Sequence, residues 1–166
     1  MKNSHCTKTI CLLLAALLLL PIVSACGGKD GGETTAVTTA GTAQKTISID
    51  GSYLMSCPAT DSTAVSLVAS IQLAASKAGV ELKMNTSRTE VPEKEIVVGR
   101  ADRSETEGVY SDLGEDGWKI AVIGKKVFIA GATDKALRDA VDSFITTFIS
   151  GKSVIEIQEE LCVTGN

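Results

Sequence analysis

Two periodicities alternate along the chain after residue 45. Ile47 and Ile49 alternate with polar neighbours, and residues 53–56 follow the turn-forming pair Asp50-Gly51, so both stretches predict short strands, the second ended by Cys57-Pro58. From Thr60 to Ala78 the period becomes helical. Val65, Val68, Ile71, Ala75 and Ala78 recur at three- and four-residue steps, and Leu67 and Ala74 widen the stripe. Thr60 or Asp61 offers the cap and Gly79 a left-handed stop. Residues 80–84 read as a strand with Leu82 between Glu81 and Lys83, and residues 85–94 as a polar loop containing Pro92. Ile96-Val97-Val98 is apolar without alternation, the mark of a central strand covered on both faces. A long acidic loop, residues 100–116, then leads into GWKIAVIGKKVFIAG. That run predicts a hairpin of residues 117–123 and 126–130 about a Gly124-Lys125 turn. Thr133 caps a second amphipathic helix, with Asp134 in its first turn and Leu137, Val141, Phe144, Ile145 and Phe148 along one face up to Gly151. Residues 154–157 predict a last strand, followed by a polar tail to Asn166.

Two helices cover one face of a sheet, so the order of elements predicts an α/β fold of the α+β two-layer type: a mixed sheet of four to five strands with both helices on one side. The second face then needs an occupant. Val97 and Phe128, or their neighbours, must point away from the helices, and with Leu54 or Met55 and Ile123 they form an expected apolar patch for docking a partner. The competing expectation is that the segments near Ile47 or Ile155 fold back over it.

The first 25 residues follow another pattern. Lys2 and Lys8 precede an apolar run of 14 residues, Ile10 to Val23, interrupted at Pro21 and followed by Ser24, Ala25 and Cys26. A bilayer-spanning helix needs about 20 apolar residues, whereas a short apolar core before small residues reads as a secretory signal. Val23-Ser24-Ala25-Cys26 resembles the bacterial lipobox, which implies cleavage before Cys26 and thioether-linked lipid on its sulfur. Residues 27–45, GGKDGGETTAVTTAGTAQK, lack the apolar content to fold and read as a flexible tether reaching about 24 Å. The expected organisation is a signal over residues 1–25, a lipidated cysteine with its tether over 26–45, and one domain over 46–166. The expected location is extracytoplasmic, anchored by lipid to a bacterial membrane.

Composition narrows the chemistry. A length of 166 residues predicts one domain and excludes a multidomain enzyme. The 44% hydrophobic content and the mean hydropathy of +0.19 are inflated by the signal. Without it, Lys+Arg falls from 16 to 14 against 20 acids, and the net charge moves from −4 to −6, which disfavours nucleic acid as a partner. The single histidine, His5, lies in the signal, so the exported part has no imidazole for acid–base work or metal ligation. The serines have no Gly-x-Ser-x-Gly elbow, no Asp-x-Asp-x-Asp-Gly loop is present, and neither a cofactor nor a metal is expected. Glu105, Glu107, Asp112, Glu115 and Asp116 crowd one loop, where charge runs are ordinarily solvated. Trp118 and Tyr110 are the candidate sugar-stacking rings, although Trp118 alternates with Ile120 and Val122 on an apolar face and reads as core. Arg100 and Arg103 offer anion contacts, or Arg103 ties the strand end to the acidic loop. Of the cysteines outside the signal, Cys26 belongs to the lipobox, and Cys57 and Cys162 are either bridged or two separate buried thiols.

One family shares much of this pattern. Glu95-Ile96-Val97-Val98-Gly99-Arg100-Ala101-Asp102-Arg103-Ser104, then Gly114-Glu115-Asp116-Gly117-Trp118-Lys119-Ile120, then Val127-Phe128-Ile129-Ala130-Gly131-Ala132 resemble the small N-terminal α/β domain of α-glucuronidases and family 20 hexosaminidases. The family's Thr-Asn before the arginine is Ala101-Asp102 here. In those hydrolases the domain packs on a (β/α)₈ barrel that holds the catalytic carboxylates, and no catalytic residue transfers to this chain. The resemblance implies a noncatalytic accessory domain, and with the lipobox an envelope lipoprotein that binds carbohydrate or packs against protein. The alternatives are an anchoring N-terminal piece of a carbohydrate-active enzyme, and a solute-capturing lipoprotein of a transporter.

Overall fold

The computed structural model describes residues 45–86 and 91–166. The expected signal segment, Cys26 and the expected tether up to residue 44 lie outside the described residues. Among those described, no helix is long and apolar enough to cross a membrane.

The chain runs β1 (Thr46–Ile49), β2 (Leu54–Ser56), α1 (Ser62–Lys77), β3 (Lys83–Met84), β4 (Glu95–Val98), α2 (Thr106–Tyr110), β5 (Trp118–Ile123), β6 (Lys126–Gly131), α3 (Asp134–Phe144), β7 (Ile155–Gln158) and β8 (Cys162–Gly165). A wide π turn, Ile145–Ile149, continues α3. Six strands form the main sheet in the order β3-β2-β4-β6-β5-β8, and β1 pairs with β7 in a separate two-stranded ribbon. β3, β2, β4 and β6 run parallel, while β5 is antiparallel to both β6 and β8. The sheet is therefore mixed, as expected from the sequence, with six strands in place of four or five. The polar tail supplies the extra edge strand: Ala121 pairs with Cys162 and Trp118 with Gly165.

Local chemistry explains the helix ends. Asp61 caps α1 by accepting the Ala64 N–H at 2.9 Å. At the other end Val80 N–H reaches the Ala75 carbonyl and Gly79 N–H that of Ser76, a Schellman closure that requires the positive φ of +85° at Gly79. The buried stripe is Ala64, Leu67, Val68, Ile71 and Ala75, so Val65, expected on it, faces outward. Thr133 caps α3 through the Ala136 N–H. The tight β5–β6 turn places Gly124 at φ +62°.

Two apolar clusters lie on opposite faces of the sheet. In the larger one, Ile96, Val98, Ile120, Val122, Val127 and Ile129 meet the stripes of α1 and α3, and Ile47, Ile49, Ile155 and Ile157 of the ribbon pack there too. The smaller cluster holds Val97, Ala101, Phe128 and Ala130 from the sheet side, with Val109, Tyr110 and Leu113 above them. The acidic loop is thus part helix: α2 lies on the face left open by α1 and α3. This overturns the expected docking patch. Val97 is 0% and Phe128 2% exposed, covered by α2 and not by the terminal strands, which went to the other face. A five-residue helix is shorter than the window in which helical periodicity is visible, so the loop's apolar trio carried no periodic signal.

Candidate functional site

The carboxyl ends of β2, β4 and β6 open onto the first turns of α1 and α3, where parallel α/β sheets commonly bind ligands. A shallow cleft of about 160 Å³ lies there, lined by Asp61, Gly99, Arg100, Tyr110, Gly131, Thr133 and Asp134 among others. Each strand end delivers its part. β4 turns at Gly99, φ +75°, to present Arg100, and β6 ends at Gly131, where α3 approaches so closely that an added Cβ would stand 2.1 Å from the Leu137 nitrogen. Thr63 Oγ1 donates to Asp134 Oδ2 at 2.7 Å, fastening the first turns of the two helices together. Arg100 lies with its guanidinium carbon 4.0 Å from the Tyr110 ring centroid and its Nη1 3.6 Å from Glu107 Oε1. Burial pushes the Tyr110 phenol up, while a backbone hydrogen bond from Gly131 and the charge of Arg100 act the other way.

The polar groups of this cleft already have work within the fold. Asp61 and Thr133 cap the helices, and Asp134 accepts from Thr63. The volume falls below the roughly 300 to 1,000 Å³ of most small-molecule sites. What remains free to meet a ligand is the face of Arg100, whose side chain is 60% exposed.

A second polar group lies in the interior. Glu95, at the head of β4, is 0% exposed. Arg103 Nε donates to its two oxygens at 2.8 and 3.1 Å, Arg103 Nη2 reaches Ser56 Oγ at 3.0 Å, and Ser56 Oγ itself donates to Glu95. Arg103 Nη1 donates to the Asp102 carbonyl at 2.6 Å. Glu95 raises the guanidinium pKa, chiefly through that hydrogen bonding. This arginine, near the start of the acidic loop, fastens the loop to β4 and β2. The sequence signal was present, since an acid heading an otherwise apolar strand requires a buried cation. The resemblance also carries this glutamate and this arginine, eight positions apart.

The acidic loop's carboxylates face the domain's own cations. Glu105 meets Lys126 at 2.7 Å, Glu107 meets Arg100, and Asp112 lies 3.9 Å from Lys119. Lys119 is 4% exposed and donates to the Val109 carbonyl at 2.9 Å. Glu115 and Asp116 are exposed. Among the described residues no group of three or more His, Cys, Asp or Glu side chains gathers in a way that could hold a metal.

Of the residues singled out in the sequence, Val97, Phe128 and Tyr110 come together, but inside the smaller cluster and not on a surface. Ile123 stands apart at the hairpin end, 42% exposed. Trp118 is half-buried against the main core, its ring lying over Gly165, where a Cβ would come within 2.4 Å. Cys57 is a free, half-buried thiol whose pKa is raised by burial and then by Asp61. The bridge to Cys162 is not formed: Cys57 follows β2 and Cys162 lies in β8, four strand spacings or about 19 Å across the sheet. That separation is far beyond the reach of a disulfide. Cys26 lies outside the described residues.

No family model and no curated protein matches the sequence. Solved structures with similar segments include glycoside hydrolases. The chain is similar to a GH138 enzyme targeting pectin rhamnogalacturonan II, at 14% identity and a TM-score of 0.46 over 68% of this chain. It is similar to the GH20 exo-β-N-acetylglucosaminidase of Vibrio harveyi at 11% identity and a TM-score of 0.45 over 72%, and to CpGH84B at 16% and 0.49 over 73%. The likeness is loose, and the chain spans 15%, 16% and 20% of those three proteins.

Proposed function

We propose that this chain is a lipid-anchored lipoprotein of a bacterial envelope that presents a noncatalytic α/β domain, related to the accessory domains of glycoside hydrolases and acting in carbohydrate binding or protein packing. The observation that carries the reading is where the motif residues lie. Glu95 and Arg103, two polar members of the resembling pattern, form a buried pair between β4 and β2. Glycoside hydrolysis requires two carboxyl groups about 5 to 10 Å apart beside a cleft that admits the glycosidic bond. Glu95 is enclosed, Glu105 is held by Lys126, and Asp61 and Asp134 serve the helix starts. The lipobox at residues 23–26 and the Gly/Thr/Ala tether support the anchor, since the several acyl chains of a lipoprotein hold a membrane where a single chain binds only marginally.

The catalytic half of the reading is tested by incubating the purified full chain with aryl β-N-acetylglucosaminides and aryl α-glucuronides. No release of aryl alcohol above buffer is expected. Turnover that disappears in Asp61→Asn or Asp134→Asn would overturn the reading.

A further inference from the structure

We infer that residues 104–117 form a strap that opens as a unit while the rest of the domain stays folded, baring the apolar second face of the sheet. Three observations carry this. The first is that the core is divided: the sheet separates the large cluster, shared by α1, α3 and the ribbon, from the small one, where the strap contributes only Val109, Tyr110 and Leu113. A segment with so few buried contacts belongs to the low-stability end of a structure's local openings. The second is that α2 has five residues and no side-chain cap at its start, whereas isolated helices below about 12 to 15 residues are marginal in water. Its helical form therefore depends on the sheet beneath it.

The third observation is the sorting of charge between the two partners. Glu105, Glu107 and Asp112 lie on the strap. The cations they meet, Lys126 on β6, Arg100 after β4 and Lys119 on β5, lie on the body. Lys119 Nζ also holds the Val109 carbonyl, and Thr106 Oγ1 donates to the Ala101 carbonyl at 2.8 Å. Arg100 stacks on Tyr110. Of these pairs Arg100–Glu107 is exposed and is the one that salt screens, which loosens this part of the clasp, while the main core, which rests on apolar burial, does not respond in that way. The sheet face uncovered, Val97, Phe128 and Ala130, has cations around its rim when the strap leaves.

Hydrogen exchange on the full chain tests this. The strap amides of Val109, Ser111 and Leu113, each bonded within the strap, are expected to exchange at least about tenfold faster than those of β4 and β6, and faster still in 1 M salt. Lys119→Ala should raise strap exchange by a further factor of about ten with core amides unchanged. Glu105→Gln, whose side chain lies at the edge, should act in the same direction if Lys119→Ala disturbs folding. A Val97→Cys thiol in a Cys57→Ser background should react with a thiol reagent at the rate of strap opening. Strap amides that exchange in step with β4 and β6, or a Val97→Cys thiol that reacts only on global unfolding, would overturn the inference.

Discussion

Glu95 and Arg103 show how one buried charge pair organises a sheet. A lone carboxylate at the head of β4 would be strongly disfavoured in the interior, and Arg103 answers it with its guanidinium while taking Ser56 into the same network. Removing one partner of such a pair typically costs about 3 to 5 kcal/mol, because the other is left buried and uncompensated. Arg103→Ala should therefore lower the urea unfolding free energy by that amount, while Glu95→Leu with Arg103→Met should recover much of the loss. A change below about 1 kcal/mol in Arg103→Ala would show that the pair does not matter. Glu105 gives a pH dependence. Hydrogen bonding from Lys126 is the largest cause holding its carboxyl below the ordinary range, with burial opposing. A carboxyl depressed in the folded state adds stability that is complete above its unfolded value, about 4.3, and is lost as the pH falls through the folded one. Glu105→Gln should thus flatten the fall in unfolding free energy between about pH 4.5 and pH 3, measured by urea titration at each pH. An unchanged slope would remove Glu105 from the acid response.

The elements differ in how far the sequence revealed them. β4, the β5–β6 hairpin and α3 were legible because their patterns are local: an unbroken apolar strand, a Gly-led turn, a threonine cap before a 3.6-residue stripe. The register of β8 was not, since Cys162 to Gly165 has no apolar alternation and pairs only because β5 offers an edge. α2 was hidden in an acidic run, and the cleft at the strand ends was hidden with it, because the wall supplied by Tyr110 depends on α2 being seated. Gly131 links β6 to α3. A side chain there would collide with backbone at the first turn of the helix, which cannot yield as a flexible side chain does. Gly131→Ala is expected to destabilise the domain by about 3 kcal/mol, at the upper end of overpacking effects, with thermal unfolding as the measurement. A stability equal to that of the parent would mean that α3 docks differently.

At the scale of the whole molecule, sequence and structure speak to different parts of the chain. The described residues, 45–86 and 91–166, pack about two apolar clusters and a buried ion pair. The proposed anchor rests on residues 1–26, where the argument is one of pattern: a short apolar core, two lysines, and small residues before a cysteine. A lipid there would make an acidic domain a resident of the envelope surface, carried off the head groups by the tether. The most direct measurement is metabolic labelling of bacteria expressing the full chain with a clickable fatty acid, beside Cys26→Ala. Label is expected on the parent protein and none on Cys26→Ala, which should also remain unprocessed. An unlabelled parent, or label that persists in Cys26→Ala, would contradict the proposed anchor.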